Sequence, residues 1–421
     1  MTGKRRDHGD GGIDARGPDR WRLRWRVNGE RFTKSFHGSI SDARKELRRR
    51  IKSADDGQHV APNKLTLAAW VERWVALLRR GDETGKGKRG LANARTLERY
   101  EDLMRLHVVP TLGKRPLQHI TATEIDTLYA KLEKRLATRT VHHVHTVLGA
   151  CLSIAVRKGL LVASPVAKAE APVPRESEAG QVLAQDQLTT LLTGFRGSTL
   201  YPIVAVAAFT GARRNEILAL RWSDFDAGAK TLTIARSLEE TKAHGRRFKE
   251  PKTRRGSRTI AIDDGLTDLL LGERERYLRL IAGVTDGAEV DLSLVKLRED
   301  ALIFPSPARV DQDLTQPRDA RSLTKEFIRR ARKLDFPKLR FHDLRGTHET
   351  LLLDAGVPVH VVAARCGHDP AILLRTYARR TKKADMSAAA VIGTLSERVL
   401  GGSQKFGSKL GPRSRKLLDC S

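Results

Sequence analysis

The chain has 421 residues, 40% of them hydrophobic, and its 78 lysines and arginines outnumber its 50 aspartates and glutamates to give a formal net charge of +28. This length predicts two to four domains, and positive charge spread along the whole chain predicts a polyanionic partner, most commonly nucleic acid. Three scattered cysteines are too few for a disulfide framework or a zinc site. The sequence also has no apolar run typical of a signal peptide or long enough for a membrane span. We therefore expect a soluble intracellular protein with no membrane partner.

Residues 1–60 predict a small sheet followed by a helix. The stretch WRLRWRV at 21–27 alternates apolar and basic side chains, and Asn28-Gly29 is typical of a hairpin turn. A second strand (RFTKSF) and a basic helix over 42–51 follow. A two-stranded ribbon with one basic face fits the DNA major groove, although a solvated basic face is the alternative. The candidate DNA-binding residues of this face are Arg22, Arg24 and Arg26.

Residues 65–172 predict a helical domain. An apolar stripe begins at Leu67, a second helix begins near Arg95, and another runs from about Thr138 to Lys158. Thr121 and Glu124 have the spacing of a capping box before the helix IDTLYAKL. Residues 173–182 are rich in proline and polar side chains, which predicts a linker.

From residue 183 to about 400 the pattern alternates helices with short strands and predicts a mixed α/β domain. The segment 284–296 is longer than we expect between a helix and a strand, and no function is assigned to it. Residues 401–421 form a basic tail rich in glycine and serine, which predicts disorder. The fold class is therefore multidomain and mainly helical, with α+β parts.

Four stretches of the last domain contain residues suited to one chemistry. They are FTGARRNEILALRWSDFD, EPKTRRGSRTIAI, FHDLRGTHETLLLDAG and RCGHDPAILLRTYARR. His342 and Arg345 are three residues apart, so on a helix both project from one face. The six candidate catalytic residues, in chain order, are Arg213, Lys252, His342, Arg345, His368 and Tyr377.

These residue types together suit phosphoryl transfer without a metal or other cofactor. Two guanidinium groups can hold a phosphodiester and stabilise the additional charge of a pentavalent transition state. A tyrosine hydroxyl has a pKa of about 10 in water, so it needs a cationic site and a nearby base to attack. Histidines can relay that proton, and a lysine can protonate the departing 5′ oxygen.

The order G-x-R-x-x-E, hairpin lysine, H-x-x-R, G-H and tyrosine resembles the tyrosine recombinases, and most of all their phage-integrase branch. The resemblance extends backward through VVPTLGKRPLQHIT and RKGLLVASPVAKAEAP, which look like a helical, SAM-like core-binding domain, to an N-terminal module that looks like an arm-type DNA-binding module. It covers roughly residues 10–400. The implied organisation is an arm-binding module at 1–60, a core-binding domain at 65–172 and a catalytic domain at 183–400.

The resemblance implies a role for each candidate. Arg213 and Arg345 would clamp the scissile phosphate, Lys252 would protonate the leaving 5′ oxygen, and His342 would exchange a proton with the nucleophile. His368 would donate a hydrogen bond to the phosphate, and Tyr377 would attack it to form a 3′-phosphotyrosyl ester. Glu216 would support the site. Lys242 and Lys249 lie near Lys252, which is preferred for its P-K-T context.

The chain departs from the family pattern after its second arginine. Gly346 stands where many relatives carry histidine, and His348 appears two residues later, where we expect it to pack or to support the site. Arg375 and Arg379 flank the tyrosine, and we expect them to contact the DNA backbone.

The implied activity is integration or excision of a mobile element at DNA attachment sites. The implied partners are double-stranded DNA, three further copies of the chain in a synaptic tetramer, and DNA-bending or directionality proteins. The implied location is the cytoplasm, at the nucleoid. Three alternatives remain open: a metal-dependent carboxylate integrase using Asp224, Asp226, Asp311 or Asp313, a catalytically inactive architectural relative, and a type IB topoisomerase.

Overall fold

The structure is a computed structural model that describes residues 11–27, 29–55, 60–80, 93–174, 180–250, 256–285, 288–307 and 313–380. The chain divides into two compact units between residues 177 and 178, and residues 241–243 group with the first unit. Within the described residues, no helix is both long and apolar enough to cross a membrane.

The first unit begins with a three-stranded antiparallel sheet and a helix. Its strands are β1 (Gly12–Gly17), β2 (Arg20–Val27) and β3 (Glu30–His37), in that order, and α1 (Ile40–Asp55) follows. Leu23 and Trp25 of β2 are buried against α1 residues that include Leu47. The predicted alternation is therefore observed. Strand β1 was not predicted, because the alternation in GIDARG is short and bounded by glycines, and this strand turns the expected two-stranded ribbon into a three-stranded sheet.

Helices make up most of the remaining described residues of the first unit. They are α2 (Leu67–Arg80), α3 (Ala94–Leu103), α4 (Val109–Leu112), α5 (Ala122–Glu133) and α6 (Thr138–Arg157). The predicted capping box is present: Thr121 N–H donates to Glu124 Oε2 at 3.0 Å, and Glu124 N–H donates to Thr121 Oγ1 at 3.3 Å. A π-helical turn over Met104–Val108 joins α3 to α4, whose second residue, Pro110, has no N–H for a regular helical bond.

The second unit is a helical core with two small sheets. Its helices are α7 (Gln185–Phe195), α8 (Tyr201–Thr210), α9 (Arg214–Ile217), α10 (Asp264–Ile281), α11 (Ala320–Lys333), α12 (Asp343–Asp354), α13 (Val359–Cys366) and α14 (Pro370–Arg380). The strands β4 (Phe225–Asp226), β5 (Thr231–Ile234) and β8 (Arg258–Ala261) form one antiparallel sheet. The strands β6 (Ser237–Thr241) and β7 (Gly245–Lys249) form the other.

Helix α8 is the centre of this unit. Eight of its ten residues are buried, so it is apolar on nearly every side. Helix α12 packs on it and is itself buried from Asp343 to Thr350, although that stretch contains an arginine, a histidine and a glutamate. Buried charged groups need partners, and the partners of the α12 charges define the candidate site.

Candidate active site

Arg213 is positioned by a tight turn between α8 and α9. Gly211 ends α8 in the left-handed conformation, with φ 65°, which glycine adopts without steric cost. Arg213 then begins α9, and its backbone N–H donates to Glu216 Oε2 at 2.9 Å while Nη1 donates to Glu216 Oε1 at 2.8 Å. One carboxylate therefore holds both the backbone and the side chain of Arg213.

Arg345 lies on α12 and is only 2% exposed. Its Nη1 donates to the Gly211 carbonyl at 2.7 Å, and its Nη2 donates to the Cys366 carbonyl at 2.5 Å. Its Nε lies 3.1 Å from Glu349 Oε1, one helical turn onward, and 3.1 Å from His368 Nε2. An arginine has five N–H donors, one on Nε and two on each terminal nitrogen. Among the described residues, these contacts use the Nε hydrogen and one hydrogen on each terminal nitrogen, so a second hydrogen remains on each of Nη1 and Nη2.

The C-terminal end of α13 gathers three arginines. Gly367 ends this helix with φ 65°, and three consecutive backbone carbonyls accept hydrogen bonds from guanidinium groups. The Arg365 carbonyl accepts from Arg258 Nε at 2.7 Å, the Cys366 carbonyl from Arg345, and the Gly367 carbonyl from Arg213 Nη2 at 3.3 Å. Because helix C-termini carry partial negative charge, they suit cations.

His368 follows directly and faces the same cluster. Its Nε2 accepts a hydrogen bond from Arg345 Nε at 3.1 Å and lies 2.8 Å from Glu349 Oε1. The three arginines (Arg213, Arg258, Arg345) face two carboxylates (Glu216, Glu349), so this cluster carries one excess positive charge before its histidines are counted. Such an arrangement attracts an anion.

His342 precedes α12 and lines a cleft of about 570 Å³ that Arg213 and Arg340 also line. Desolvation in the cleft, and then the positive charge of Arg345, lower the pKa of His342 below its ordinary value. The imidazole is therefore neutral near pH 7 and able to accept a proton.

Tyr377 is a half-buried residue of α14, and its hydroxyl donates to Asp354 Oδ1 at 2.8 Å. Asp354 is the last residue of α12, the helix that carries Arg345. Arg375 is exposed on the same helix as Tyr377. Lys252 and the side chain of Arg379 lie outside the described residues, so their predicted roles stay predictions.

His348 lies between α8 and α13. Its Nδ1 lies 2.9 Å from the Ala208 carbonyl, and its Nε2 accepts a bond from Arg365 Nε at 3.1 Å. Arg365 also donates to the Phe209 and Ala261 carbonyls. Burial, and next the charge of Arg365, lower the pKa of His348 to about 4, so the ring is neutral and links α8 to α13.

Two residues of the cluster were not predicted from sequence. Glu349 is buried against Arg345, and its position four residues after that arginine on a helix was the available signal. Arg258 bonds both Glu216 and the Arg365 carbonyl. No local signal distinguishes it from the other basic residues that precede it in EPKTRRGSRTIAI.

The carboxylates of the metal-dependent alternative have local structural roles where they are described. Asp224 caps the Arg221 backbone N–H at 2.9 Å and pairs with Arg236. Asp226 accepts from the Ala229 N–H, and Asp313 accepts from Thr315. These three carboxylates serve as turn and cap residues.

Comparison with known proteins identifies the family. The model of the phage integrase family matches residues 181–384, and that of the phage integrase central domain matches residues 82–171. An integrase of Streptomyces ambofaciens is 26% identical over 418 residues, covering 94% of this chain and 98% of that protein. The chain belongs to the phage integrase family. A XerC-like tyrosine recombinase of Caldanaerobacter subterraneus is 24% identical over 361 residues, covering 81% of this chain and 86% of that protein.

Solved structures share the fold of this chain. The integrase of transposon Tn1549, in complex with a circular intermediate DNA, matches with TM-score 0.57 and 18% identity, covering 75% of this chain and 99% of that one. A lambda integrase dimer bound to a core site matches with TM-score 0.53 and 16% identity, covering 90% and 98%. The predicted family, fold class and site-specific tyrosine recombinase function are confirmed. The domain boundaries and the roles of individual residues stay predictions.

Proposed function

We propose that this recombinase cleaves and rejoins DNA at attachment sites through a covalent ester between Tyr377 and a 3′ phosphate. In the cleavage step the Tyr377 oxygen forms a bond to phosphorus while the bond from phosphorus to the 5′ oxygen breaks. His342 takes the tyrosine proton, and Lys252 supplies a proton to the 5′ oxygen. Rejoining reverses these transfers with the 5′ hydroxyl of a second strand.

The observation that carries the proposal is the convergence of Arg213, Arg345 and His368 on the end of α13, beside a cleft that His342 lines. These groups come from three separate motifs. The motif of Arg213 lies more than one hundred residues before the other two. Hydrogen bonds to carbonyl and carboxylate oxygens restrict both guanidinium groups, of which that of Arg345 is buried, so they are arranged in advance for the charge of a pentavalent phosphorane. Preorganised cations also replace the metal ion that many phosphoryl-transfer enzymes use.

Attack requires that the Tyr377 hydroxyl leave the Asp354 carboxylate. The hydroxyl donates to Asp354 in the DNA-free protein, whereas the nucleophile must donate to a base while its oxygen approaches phosphorus. A rotation or shift of α14 on DNA binding is therefore part of the proposed cycle.

The proposed partners follow from the family and the charge. The net charge of +28 suits double-stranded DNA, and the lambda relative was solved as a dimer on a core site. Exchange between two duplexes needs four copies of the chain, with a Holliday junction as intermediate. DNA-bending or directionality proteins would set the direction, and the reaction would take place at the nucleoid in the cytoplasm.

The test is a nicked suicide substrate carrying the element's own attachment site, incubated with the protein in EDTA. We expect a covalent protein–DNA band on a denaturing gel for the unaltered protein and none for Tyr377→Phe. Tyr201→Phe, which removes a hydroxyl elsewhere in the same unit, is the matched control and should retain the band.

Two results would contradict the proposal. Tight DNA binding with no covalent band from the unaltered protein would make the chain an architectural relative. A band that requires magnesium and persists in Tyr377→Phe would move the chemistry to a carboxylate site.

A further inference from the structure

Arg258 is a buried arginine that none of the assigned catalytic roles uses. It begins β8, which follows the segment containing Lys252 and pairs with β5 rather than with β7, and its side chain is only 7% exposed. Burying a guanidinium group is costly unless its donors are paired. The destinations of its bonds therefore indicate what it does.

All three nitrogens of Arg258 are bonded, and each bond reaches a different segment. Nη2 donates to Glu216 Oε2 at 2.9 Å, Nε donates to the Arg365 carbonyl at 2.7 Å, and Nη1 donates to the Gly256 carbonyl at 3.1 Å. One planar group thus joins the turn that carries Arg213, the C-terminal end of α13 and the residues just before β8.

Glu216 links Arg258 to Arg213. The two oxygens of Glu216 divide between the two arginines, since Oε1 accepts from Arg213 Nη1 and Oε2 accepts from Arg258. Burial alone would raise the pKa of Glu216, but the hydrogen bond and charge of Arg258, together with Arg213, hold it below its ordinary range. Glu216 is therefore ionised, and its orientation depends on both partners.

We propose that Arg258 is a positioning residue for strand cleavage: by holding Glu216 and the Arg365 carbonyl, it sets the place of the Arg213 guanidinium relative to the Arg345 guanidinium. The inference rests on the proposed role of Arg213 at the scissile phosphate. Arg258 itself contacts no reacting atom in this assignment.

Lysine cannot replace Arg258 in this position. An ammonium group has a single nitrogen at the end of a flexible chain, whereas these three hydrogen bonds come from the three nitrogens of one rigid guanidinium group and point in three directions. Arg258→Lys keeps the charge but loses at least one link. A misplacement of about 1 Å at a catalytic group reduces a rate by about 100-fold, so we expect cleavage of the suicide substrate to slow by about 10- to 100-fold with little change in DNA affinity.

A double-mutant cycle of cleavage rates, combining Arg258→Lys with Arg213→Lys, distinguishes an effect through Arg213 from a general loss of structure. If Arg258 acts through Arg213, the double variant should cleave no more slowly than Arg213→Lys alone, because the second change has nothing left to misplace. Multiplying defects in the double variant would overturn the proposal. Arg236→Lys is the matched control, since Arg236 pairs with Asp224 and bonds none of the candidate site residues among those described.

A second variant covers the case in which Arg258→Lys does not fold. Glu216→Gln keeps the shape of the link but removes its charge, and the same cycle with Arg213→Lys should again show no further loss. An unaltered protein that forms no covalent band would count against the proposed function. An unaltered protein that reacts normally, with Arg258→Lys reacting equally fast, would count against this inference alone.

Discussion

At the scale of single residues, the hydrogen bond between Tyr377 and Asp354 sets the starting position of the nucleophile. Because this bond must break before attack, removing its acceptor should help the reaction. A hydrogen bond to a charged group contributes about 1.5–3 kcal/mol, and the solvent exposure of this bond reduces its contribution to about 1 kcal/mol, which corresponds to about a fivefold change in rate. We expect Asp354→Ala to form the covalent complex about fivefold faster than the unaltered protein in single-turnover cleavage.

A loss of negative charge also strengthens DNA binding, so the comparison needs a charge-matched control. Asp300→Ala removes an exposed carboxylate that pairs with Arg298, and it should leave the rate at saturating DNA unchanged. Slower cleavage by Asp354→Ala would show instead that Asp354 helps to place the tyrosine in the reactive state.

His348 should make the stability of the second unit depend on pH. Its folded pKa of about 4 lies below the ordinary value of 6.5, so the unfolded chain binds more protons between these values. The stabilisation is therefore present above about pH 6.5 and is lost as pH falls toward about 4, with a total of about 3 kcal/mol for this site. Urea unfolding at a series of pH values measures it.

The charged groups around His348 are Arg365, Arg345 and Glu349. They stay in place when the histidine is replaced, so His348→Gln is expected to have a flatter stability profile between pH 4 and 6.5. An unchanged slope in His348→Gln would assign the dependence to other groups, of which His342 is the first candidate because its pKa is also lowered.

At the scale of elements, the residue that ends α8 is constrained both by its backbone conformation and by the side chains packed against it. A Cβ on Gly211 would lie 2.7 Å from His348 Cδ2 and 2.9 Å from Cys366 Sγ, and φ is 65°. Backbone strain and overpacking each cost about 1–3 kcal/mol. We expect Gly211→Ala to lower the free energy of unfolding by about 2–4 kcal/mol and to abolish cleavage, since the Gly211 carbonyl holds Arg345.

Gly197→Ala separates the two costs. Gly197 has a similar φ of 74°, but a Cβ there would meet nothing within 4 Å. Its variant should therefore lose only the backbone contribution, about 1 kcal/mol. Equal losses in the two variants would mean that contact with His348 and Cys366 adds no cost.

Local patterns predicted the elements well and the site only in part. Alternation identified β2, and the Thr121 capping box identified the start of α5, because both depend on residues within one element. The links in the site join distant positions: Arg213 to Gly367 spans 154 residues, Arg345 to Gly211 spans 134, and Arg258 to Arg365 spans 107. The motif G-H predicted His368, but only the fold shows that the carbonyls before it hold three arginines.

At the scale of the whole molecule, the positive charge serves more than one kind of contact. The cluster around Arg345 is buried and makes fixed hydrogen bonds. The arginines of β2, by contrast, are exposed. Arg24 pairs with Asp14 across the sheet at 2.8 Å, and at this exposure such a pair adds little stability. The basic face of β2 is thus available to DNA without being needed for folding.

The basic face of β2 is expected to contact DNA phosphates. Replacing Arg22, Arg24 and Arg26 together with glutamine removes three candidate phosphate contacts, so the slope of log affinity against log salt should become shallower by about 3 on DNA that carries the arm sites. The charge-matched control replaces Arg44, Lys45 and Arg48, which are exposed on α1. Because the β2 arginines form one face of a ribbon, we expect their loss to change the slope more than the loss of the α1 residues. Equal changes from the two triple variants, each with an unaltered melting temperature, would mean that the module attracts DNA by charge alone and that the β2 face reads no groove.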